Sequence, residues 1–390
     1  MMKGLARAPF ASSSSSSFSS SSLSVSERRR RRSDDGVFSN RSRASSSSSS
    51  SSLKKKKNKK ILFVRGISAS SSSSSKTTGT NEFKTSDGVT IRGTFAEGGG
   101  EAQTTTSDEK RTALIMLHGS YHASWCFSEN FFDYFSGGGR GGYGTNVDAY
   151  AMDFRGQGAS DVPVKDGKAM KVAGTLERHA RDVREYVEHV MREKKDAYDR
   201  VYLVGHSFGG LIAQKVYAED GEGDDGKGGK LFDGMILLAS VPPTGNGEMV
   251  KRFLREDLWK SMKITYAFIA KQFGTDAKSC RECFFSESVA ESEIEKYMRL
   301  INDSSKARLL DLKQLNEELP IVVKNDAKKG NERVLVIGGQ NDYVVDNTGV
   351  RETAAFWRSK EILIDGSAHD VMLDSKWQTV AEIMMQFIDA

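Results

Sequence analysis

Gly205-His206-Ser207-Phe208-Gly209-Gly210 follows the apolar run Val201-Tyr202-Leu203-Val204 and precedes the helical pattern Leu211-Ile212-Ala213-Gln214-Lys215-Val216-Tyr217. A short β-rich run, a serine bracketed by glycines and then an amphipathic helix make the setting in which G-x-S-x-G is a sharp strand-to-helix turn that presents its serine. Glycines two before and two after Ser207 allow strand and helix to approach more closely than side chains permit. Ser207 then stands at the tip, close to the positive end of the helix that follows.

Outward from this turn the chain alternates strand and helix. Thr112–Leu117 is a continuous apolar run of the kind buried in parallel sheets, and Val147–Asp153, Met235–Ala239, Val334–Ile337 and Ile362–Ile364 read as further strands. Phe83–Phe95 reads as a hairpin about Ser86-Asp87-Gly88, Trp125–Phe135 as one helix, Gly137–Gly144 and Asp220–Gly229 as surface loops, and Thr175–Lys195 as a strong helix. The last helix is expected to begin with a capping box at Ser375 and Gln378. Residues 244–330 break the alternation: they are helical in pattern, with no strand expected before Val322. The expected fold is α/β, a mostly parallel central sheet with helices on both faces and an inserted helical lid at about 244–330.

The first 80 residues differ in kind. They hold 17 of the 57 Lys and Arg but only three of the 52 acids, so they carry +14 and the rest of the chain −9. Serine blocks and basic clusters (Arg28–Arg32, Lys54–Lys57), with no apolar central region, match a transit peptide and not a secretory signal. The expectation is a leader over 1–80 read by the plastid import machinery, a domain over 81–390, and a chloroplast (stromal) address, with the mitochondrion as the alternative. The acidic domain gives no electrostatic case for nucleic-acid binding. No apolar run reaches the roughly 18 residues of a membrane helix. The three cysteines, Cys126, Cys280 and Cys283, are too few for a disulfide scaffold, and the lone C-x-x-C spacing of Cys280 and Cys283 is weak evidence for zinc or redox chemistry. No cofactor or metal motif is present.

A serine hydroxyl needs a base to take its proton, and the base needs an acid to orient it. On a turn of this type the partners follow in the order Ser, acid, His. His369, in Gly366-Ser367-Ala368-His369-Asp370, is the one histidine downstream of Ser207. Asp342, in Gly338-Gly339-Gln340-Asn341-Asp342, directly follows a strand and is favoured as the acid over Asp346 and Asp370. The oxyanion donors are expected to be the main-chain N–H groups of Phe208 and Ser120, the latter in the loop His118-Gly119-Ser120-Tyr121-His122. His118, Gly119 and the lid residue Trp259 are candidate substrate contacts. Leu258, Trp259, Met262, Tyr266, Ile269 and Phe273 recur at helical spacing as an apolar stripe able to face the pocket. His206 reads as a packing residue, and His179 and His189 as helix surface residues. Asp153 and Arg155 are expected to hold their turn.

These residues resemble the α/β-hydrolase superfamily. His118-Gly119 is similar to its oxyanion motif, Asp153-Phe154-Arg155-Gly156-Gln157-Gly158-Ala159-Ser160 to its D-x-R-G-x-G-x-S loop, and Gly205–Gly209 to its serine turn. The stretch from His118 to Cys126 is also similar to the oxyanion loop of plant methylesterases and hydroxynitrile lyases, with Ala123 where those carry glycine. The resemblance implies a serine hydrolase of esterase or lipase type, acting on a small-molecule ester or thioester with an apolar acyl or aromatic part. The same superfamily hosts acyltransferases, C–C hydrolases and non-catalytic ligand receptors.

Overall fold

The computed structural model describes residues 77–98, 111–137, 146–194, 197–221, 230–256, 258–330 and 333–390. The expected leader lies outside these residues except for its last four. So do most of the Gly137–Gly144 and Asp220–Gly229 loops. The first strand, β1 (Thr77–Lys84), starts ahead of the Phe83 boundary and pairs with β2 (Thr90–Glu97) as an antiparallel hairpin.

β3 (Thr112–Leu117) is buried along its whole length. Two short helices follow, α1 (Trp125–Ser128) and α2 (Phe131–Phe135), where the sequence suggested a single one. The break falls at Asn130, whose backbone leaves the helical region at φ −129°. β4 (Val147–Asp153) is again wholly buried. A two-residue ribbon, β5 (Val164–Lys165) with β6 (Lys168–Ala169), and the short β7 (Val172–Gly174) lead into α3 (Leu176–Lys194). Then come β8 (Arg200–His206), α4 (Ser207–Glu219) and β9 (Gly234–Leu238).

Between β9 and β11 lie α5 (Gly247–Glu256), α6 (Leu258–Ala270), α7 (Ala277–Phe284), α8 (Glu291–Ser304), β10 (Arg308–Leu310) and α9 (Leu312–Glu318). β10 pairs in parallel with β7, and the sequence missed it because three residues are too few to show a period. Val322, taken as the start of a strand, is exposed and outside any strand. β11 (Val334–Gly339), α10 (Asn347–Phe356), β12 (Glu361–Ile364) and α11 (Trp377–Asp389) complete the chain. α11 does not begin with the expected capping box: its N-cap is Lys376, and Ser375 instead donates to Asp374.

The sheet runs β1-β2-β4-β3-β8-β9-β11-β12, antiparallel at its first two pairings and parallel from β4 onward. Alternation divides its side chains between two cores. Leu114, Met116, Tyr202, Val204, Ile236 and Leu238 join α1, α2 and α11 on one face. Ala113, Ile115, Val201, Leu203, Met235 and Leu237 join α3 and α4 on the other. Strands buried on both faces account for the unbroken apolar runs in the sequence. The architecture is that of an α/β hydrolase, and it brings the loops after β3, β8, β11 and β12 to one end of the sheet, where the carboxyl ends of parallel strands form a crevice.

Candidate active site

Ser207 joins β8 to α4 with φ +54°, a left-handed backbone that a residue with a Cβ rarely adopts. The neighbouring glycines are what the turn can accommodate. A Cβ on Gly205 would lie 2.6 Å from the Cα of Gly210, and one on Gly209 would lie 2.3 Å from the His118 carbonyl oxygen. Ser207 is almost completely buried yet lines a cavity of about 1170 Å³ that Ser120, Phe208, Asp342 and His369 also line. The nucleophile, acid, base and oxyanion candidates therefore share one cavity.

Asp342, in the loop after β11, accepts at Oδ2 from His369 Nδ1 at 2.8 Å. Its Oδ1 accepts from the backbone N–H groups of Val344 and Val345 at 2.6 and 2.9 Å, which fixes the carboxylate plane. Burial opposes protonation of His369, but the attraction and hydrogen bond of Asp342 outweigh it and raise its pKa above the usual imidazole value. With Nδ1–H held by Asp342, Nε2 is the nitrogen left to accept a proton.

The oxyanion loop is tied down from behind. His118 is fully buried, and its Nε2 accepts from the Phe154 N–H at 3.2 Å, so the Nδ1–H faces the Gly119 carbonyl at 2.8 Å. Burial lowers its pKa to about 3, which keeps it neutral in that role. A Cβ on Gly119 would lie 2.8 Å from the Ser207 Cβ, so this glycine permits the loop to press against the nucleophile. His118 and Gly119, expected as substrate contacts, are absent from the cavity wall: the first is a strut and the second a spacer. The D-x-R-G-x-G-x-S loop works in the same way. Asp153 accepts from the N–H groups of Ser124 and Ala159 at 2.6 and 2.8 Å, while Arg155 forks onto Asp182 of α3 at 2.5 and 2.6 Å.

Three further histidines are buried, His206 as a packing or positioning reading expects. His206 is fully buried, with its ring 4.8 Å from that of His369 and its Nε2 3.2 Å from the His369 carbonyl. Burial, followed by the neighbouring charge of His369, pushes its pKa well down. His122 places Nε2 2.8 Å from Asp370 Oδ2 and Nδ1 3.0 Å from the Ser120 carbonyl, linking the oxyanion loop to the residue beside the base. Asp370 is thus hydrogen-bonded to His122 and close to His206, and burial, which raises its pKa, is outweighed by His122, then His206 and His369, which hold it down. His179, expected on the surface, is fully buried on α3, lies edge-on to Phe154 and donates from Nε2 to the Leu309 carbonyl at 2.8 Å. An i, i+3 helical position shows that a residue shares a face; it does not show that β10 will cover that face. His206, His369 and Asp370 are the one group among the described residues close enough to hold a cation, with ligand atoms within 4.8 Å. His369 Nδ1 is engaged by Asp342 and Asp370 Oδ2 by His122, whereas His206 Nδ1 and Asp370 Oδ1 have no hydrogen-bond partner among the described residues.

The expected apolar stripe divides: Ile269 lines the cavity and Phe273 is buried just past α6, but the rest turns away from the cavity. Trp259 is 81% exposed and absent from the cavity wall; Leu258, Met262 and Tyr266 are likewise exposed and off the wall. Ser261, Ile264, Thr265 and Phe268 face inward instead, and Phe268 packs against Tyr121, Phe273 and Phe284. Cys280 and Cys283 are buried on α7 as free thiols, with the Cys283 pKa pushed up to about 12 by burial, so neither is poised to react.

Among solved structures, the fold is similar to a hydrolase from Pseudomonas aeruginosa PA01, with 17% identity, TM-score 0.52, and 80% of this chain and 98% of that one covered. It is also similar to a soluble variant of monoglyceride lipase from Saccharomyces cerevisiae in complex with a substrate analog, with 17% identity, TM-score 0.52, and 80% and 94% covered. A thermostable carboxyl esterase from Bacillus coagulans matches at 14% identity and TM-score 0.50, with 80% and 98% covered. A search of curated protein sequences returns no match. The family model described as "Alpha/beta hydrolase family" matches residues 114–383, more than half of the chain, including the loops after β3, β8, β11 and β12, and the chain belongs to that family.

Proposed function

We propose that the protein is a serine hydrolase that cleaves a carboxylic ester or thioester through an acyl-enzyme on Ser207. The observation that carries this reading is the strained Ser207 turn opening into the cavity that also holds the Asp342–His369 pair at 2.8 Å. His369 Nε2 takes the Ser207 proton as Oγ attacks the carbonyl carbon. The resulting oxyanion accepts from the main-chain N–H groups of Phe208 and Ser120. Collapse of the tetrahedral intermediate expels the alcohol or thiol, which receives the proton from His369. Water, deprotonated by the same imidazole, then releases the acid and restores Ser207. Asp342 keeps the imidazole in the right tautomer and favours the imidazolium formed midway.

The insert between β9 and β11 serves as the lid of this reading, and its inward residues Ile264 and Phe268 supply an apolar wall for an acyl or aromatic group. The lipase and esterase among the similar structures support ester chemistry. Residues 1–80 act in this proposal as a plastid-import leader, supported by their serine-rich, acid-poor composition.

The test is covalent labelling of Ser207 by a fluorophosphonate together with turnover of 4-nitrophenyl esters. Labelling and turnover that both vanish in Ser207→Ala are the expected result. Labelling without turnover of any ester points to the ligand-receptor alternative, and failure to label removes the nucleophile assignment.

A further inference from the structure

The cavity that opens on Ser207 is lined by two unlike sets of side chains. One is apolar, built from Phe253 of α5 and Ile264 and Phe268 of α6. The other carries four cations: Lys171 ahead of β7, Lys271 just past α6, and Lys306 and Arg308 at β10. The two carboxylates on the cavity wall are both engaged, Asp342 with His369 at 2.8 Å and Asp346 with Arg252 at 2.6 and 2.7 Å. None of the four makes an ion pair with a carboxylate among the described residues, although the charge of Lys306 reaches the buried Asp153.

The cations do not come from one charged run. Lys171, Lys271 and the Lys306/Arg308 pair belong to three separate stretches that the fold draws together, in a part of the chain whose overall charge is negative. Two of them act on Tyr121 of the oxyanion loop, and a third is tied to the D-x-R-G-x-G-x-S loop. Lys271 Nζ lies 5.6 Å from the centre of the Tyr121 ring, next to Ser120. Lys306 Nζ donates to the Ser160 carbonyl at 3.3 Å, which holds it in place without neutralising it. The Tyr121 phenol is raised by burial, and the charge of Arg308 works against that rise, so the guanidinium field reaches the same spot. All four are exposed, so water screens part of their mutual repulsion, and an anion between them relieves what remains.

We infer that the cavity binds an amphiphile with an apolar chain at one end, laid against Phe253, Ile264 and Phe268, and an anionic group, phosphate or carboxylate, at the other, met by Lys171, Lys271, Lys306 and Arg308. This names a substrate class for the hydrolase reading, on which it rests for turnover but not for binding: esters that join an apolar acyl group to an anionic portion.

The experiment is calorimetric binding of octyl phosphate, octanoate and 1-octanol to the full chain, with 4-nitrophenyl butyrate turnover measured on the same preparation. Octyl phosphate or octanoate is expected to bind at least about tenfold more tightly than 1-octanol at low salt, and the advantage is expected to shrink in about 0.5 M salt, where screening reaches within a few ångströms. The anion that gains more identifies the head group. The charge reversal Lys306→Glu with Arg308→Glu is expected to abolish the advantage, with thermal melting as the check on folding and Lys171→Glu as the second variant should the first not fold. Equal affinities for anionic and neutral ligands, or an anionic advantage that survives charge reversal in a folded variant, overturn the inference. An intact anionic preference without ester turnover removes the hydrolase reading and leaves this one standing; turnover without preference does the reverse.

Discussion

Replacing Gly209 by alanine tests how the nucleophile turn and the oxyanion loop are held together. In the interior of an ordinary helix this change stabilises by about 1 kcal/mol. Here the new Cβ would lie 2.3 Å from the His118 carbonyl oxygen and 2.5 Å from that of Leu117, both backbone atoms at the end of β3. Contacts below 3.0 Å are essentially never seen, so strand end and helix must separate by about 0.7 Å. Overpacking of that kind costs about 1–3 kcal/mol, more than the helix gains, for a net loss of up to about 2 kcal/mol. The displacement falls on the loop that carries Ser120 and on the turn that carries Phe208, the two proposed oxyanion donors. A misplacement near 1 Å costs about 100-fold in rate, so kcat/KM for a 4-nitrophenyl ester is expected to fall about 30- to 100-fold while most of the fold survives. Gly247→Ala is the control, because a Cβ there meets nothing within 4 Å. The assay pairs steady-state kinetics with thermal denaturation. A Gly209→Ala protein as active and as stable as the parent refutes the close-approach argument.

Other expectations can be checked alongside. His369 must be neutral to act as base, and Asp342 raises its pKa, so the acid limb of kcat/KM should lie above the ordinary imidazole value of 6.5; Asp342→Asn should move that limb to lower pH and cut the plateau by about 10³–10⁴-fold, and an unmoved limb would count against the pair. Asp370 is buried with a depressed pKa, so its contribution to stability is present above the unfolded carboxylate value and lost as pH falls through the folded one. Asp370→Asn should therefore destabilise by about 3–5 kcal/mol at neutral pH, with a gap to the parent that closes below pH 3.8, as followed by denaturant titration. Trp259→Ala should leave chain-length selectivity unchanged, whereas Phe268→Ala should reduce discrimination for long or aromatic esters by about 1–3 kcal/mol, read from the ratio of kcat/KM values. A fluorescent fusion to residues 1–75 should enter plastids, and mitochondrial or nuclear fluorescence would redirect the localisation proposal.

The sheet was legible because its strands are buried on both faces and leave unbroken apolar runs, as in Thr112–Leu117. Ser207, His369 and Asp342 were legible because each follows a strand at the loop where chain order places it, and they now line one cavity. What the sequence hid depends on neighbours distant in the chain. His122 and Asp370 meet across 248 positions, and the motif that contains His122 does not say which residue it meets. His179 is buried because the three-residue β10 covers it. The α6 stripe was a real periodicity, but spacing states which residues share a face and leaves open which way that face turns; packing of Phe268 onto Phe273 and Phe284 decides it. The break at Asn130 and the uncapped start of α11 likewise come from tertiary packing overriding local preference.

The segment between β9 and β11 is fastened unevenly to the rest of the molecule. Its later part is stitched down by β10 on β7, by the Gly158 N–H to the Ser304 carbonyl at 2.7 Å, by Gln157 to the Ala307 carbonyl at 2.7 Å and by Ser286 to Asp374 at 2.6 Å. Its first part, the α5–α6 pair, supplies the apolar wall and is pinned to the α10 N-cap by the Arg252–Asp346 fork. The α5–α6 pair is consequently an exchangeable cassette. Another helical pair could be grafted between Thr244 and Thr275 to recognise a different chain, while the nucleophile, base, acid and β10 cations stay on elements the graft never touches. The two ends of a substrate would then diversify largely separately, with Lys271 the one head-group cation that the graft replaces.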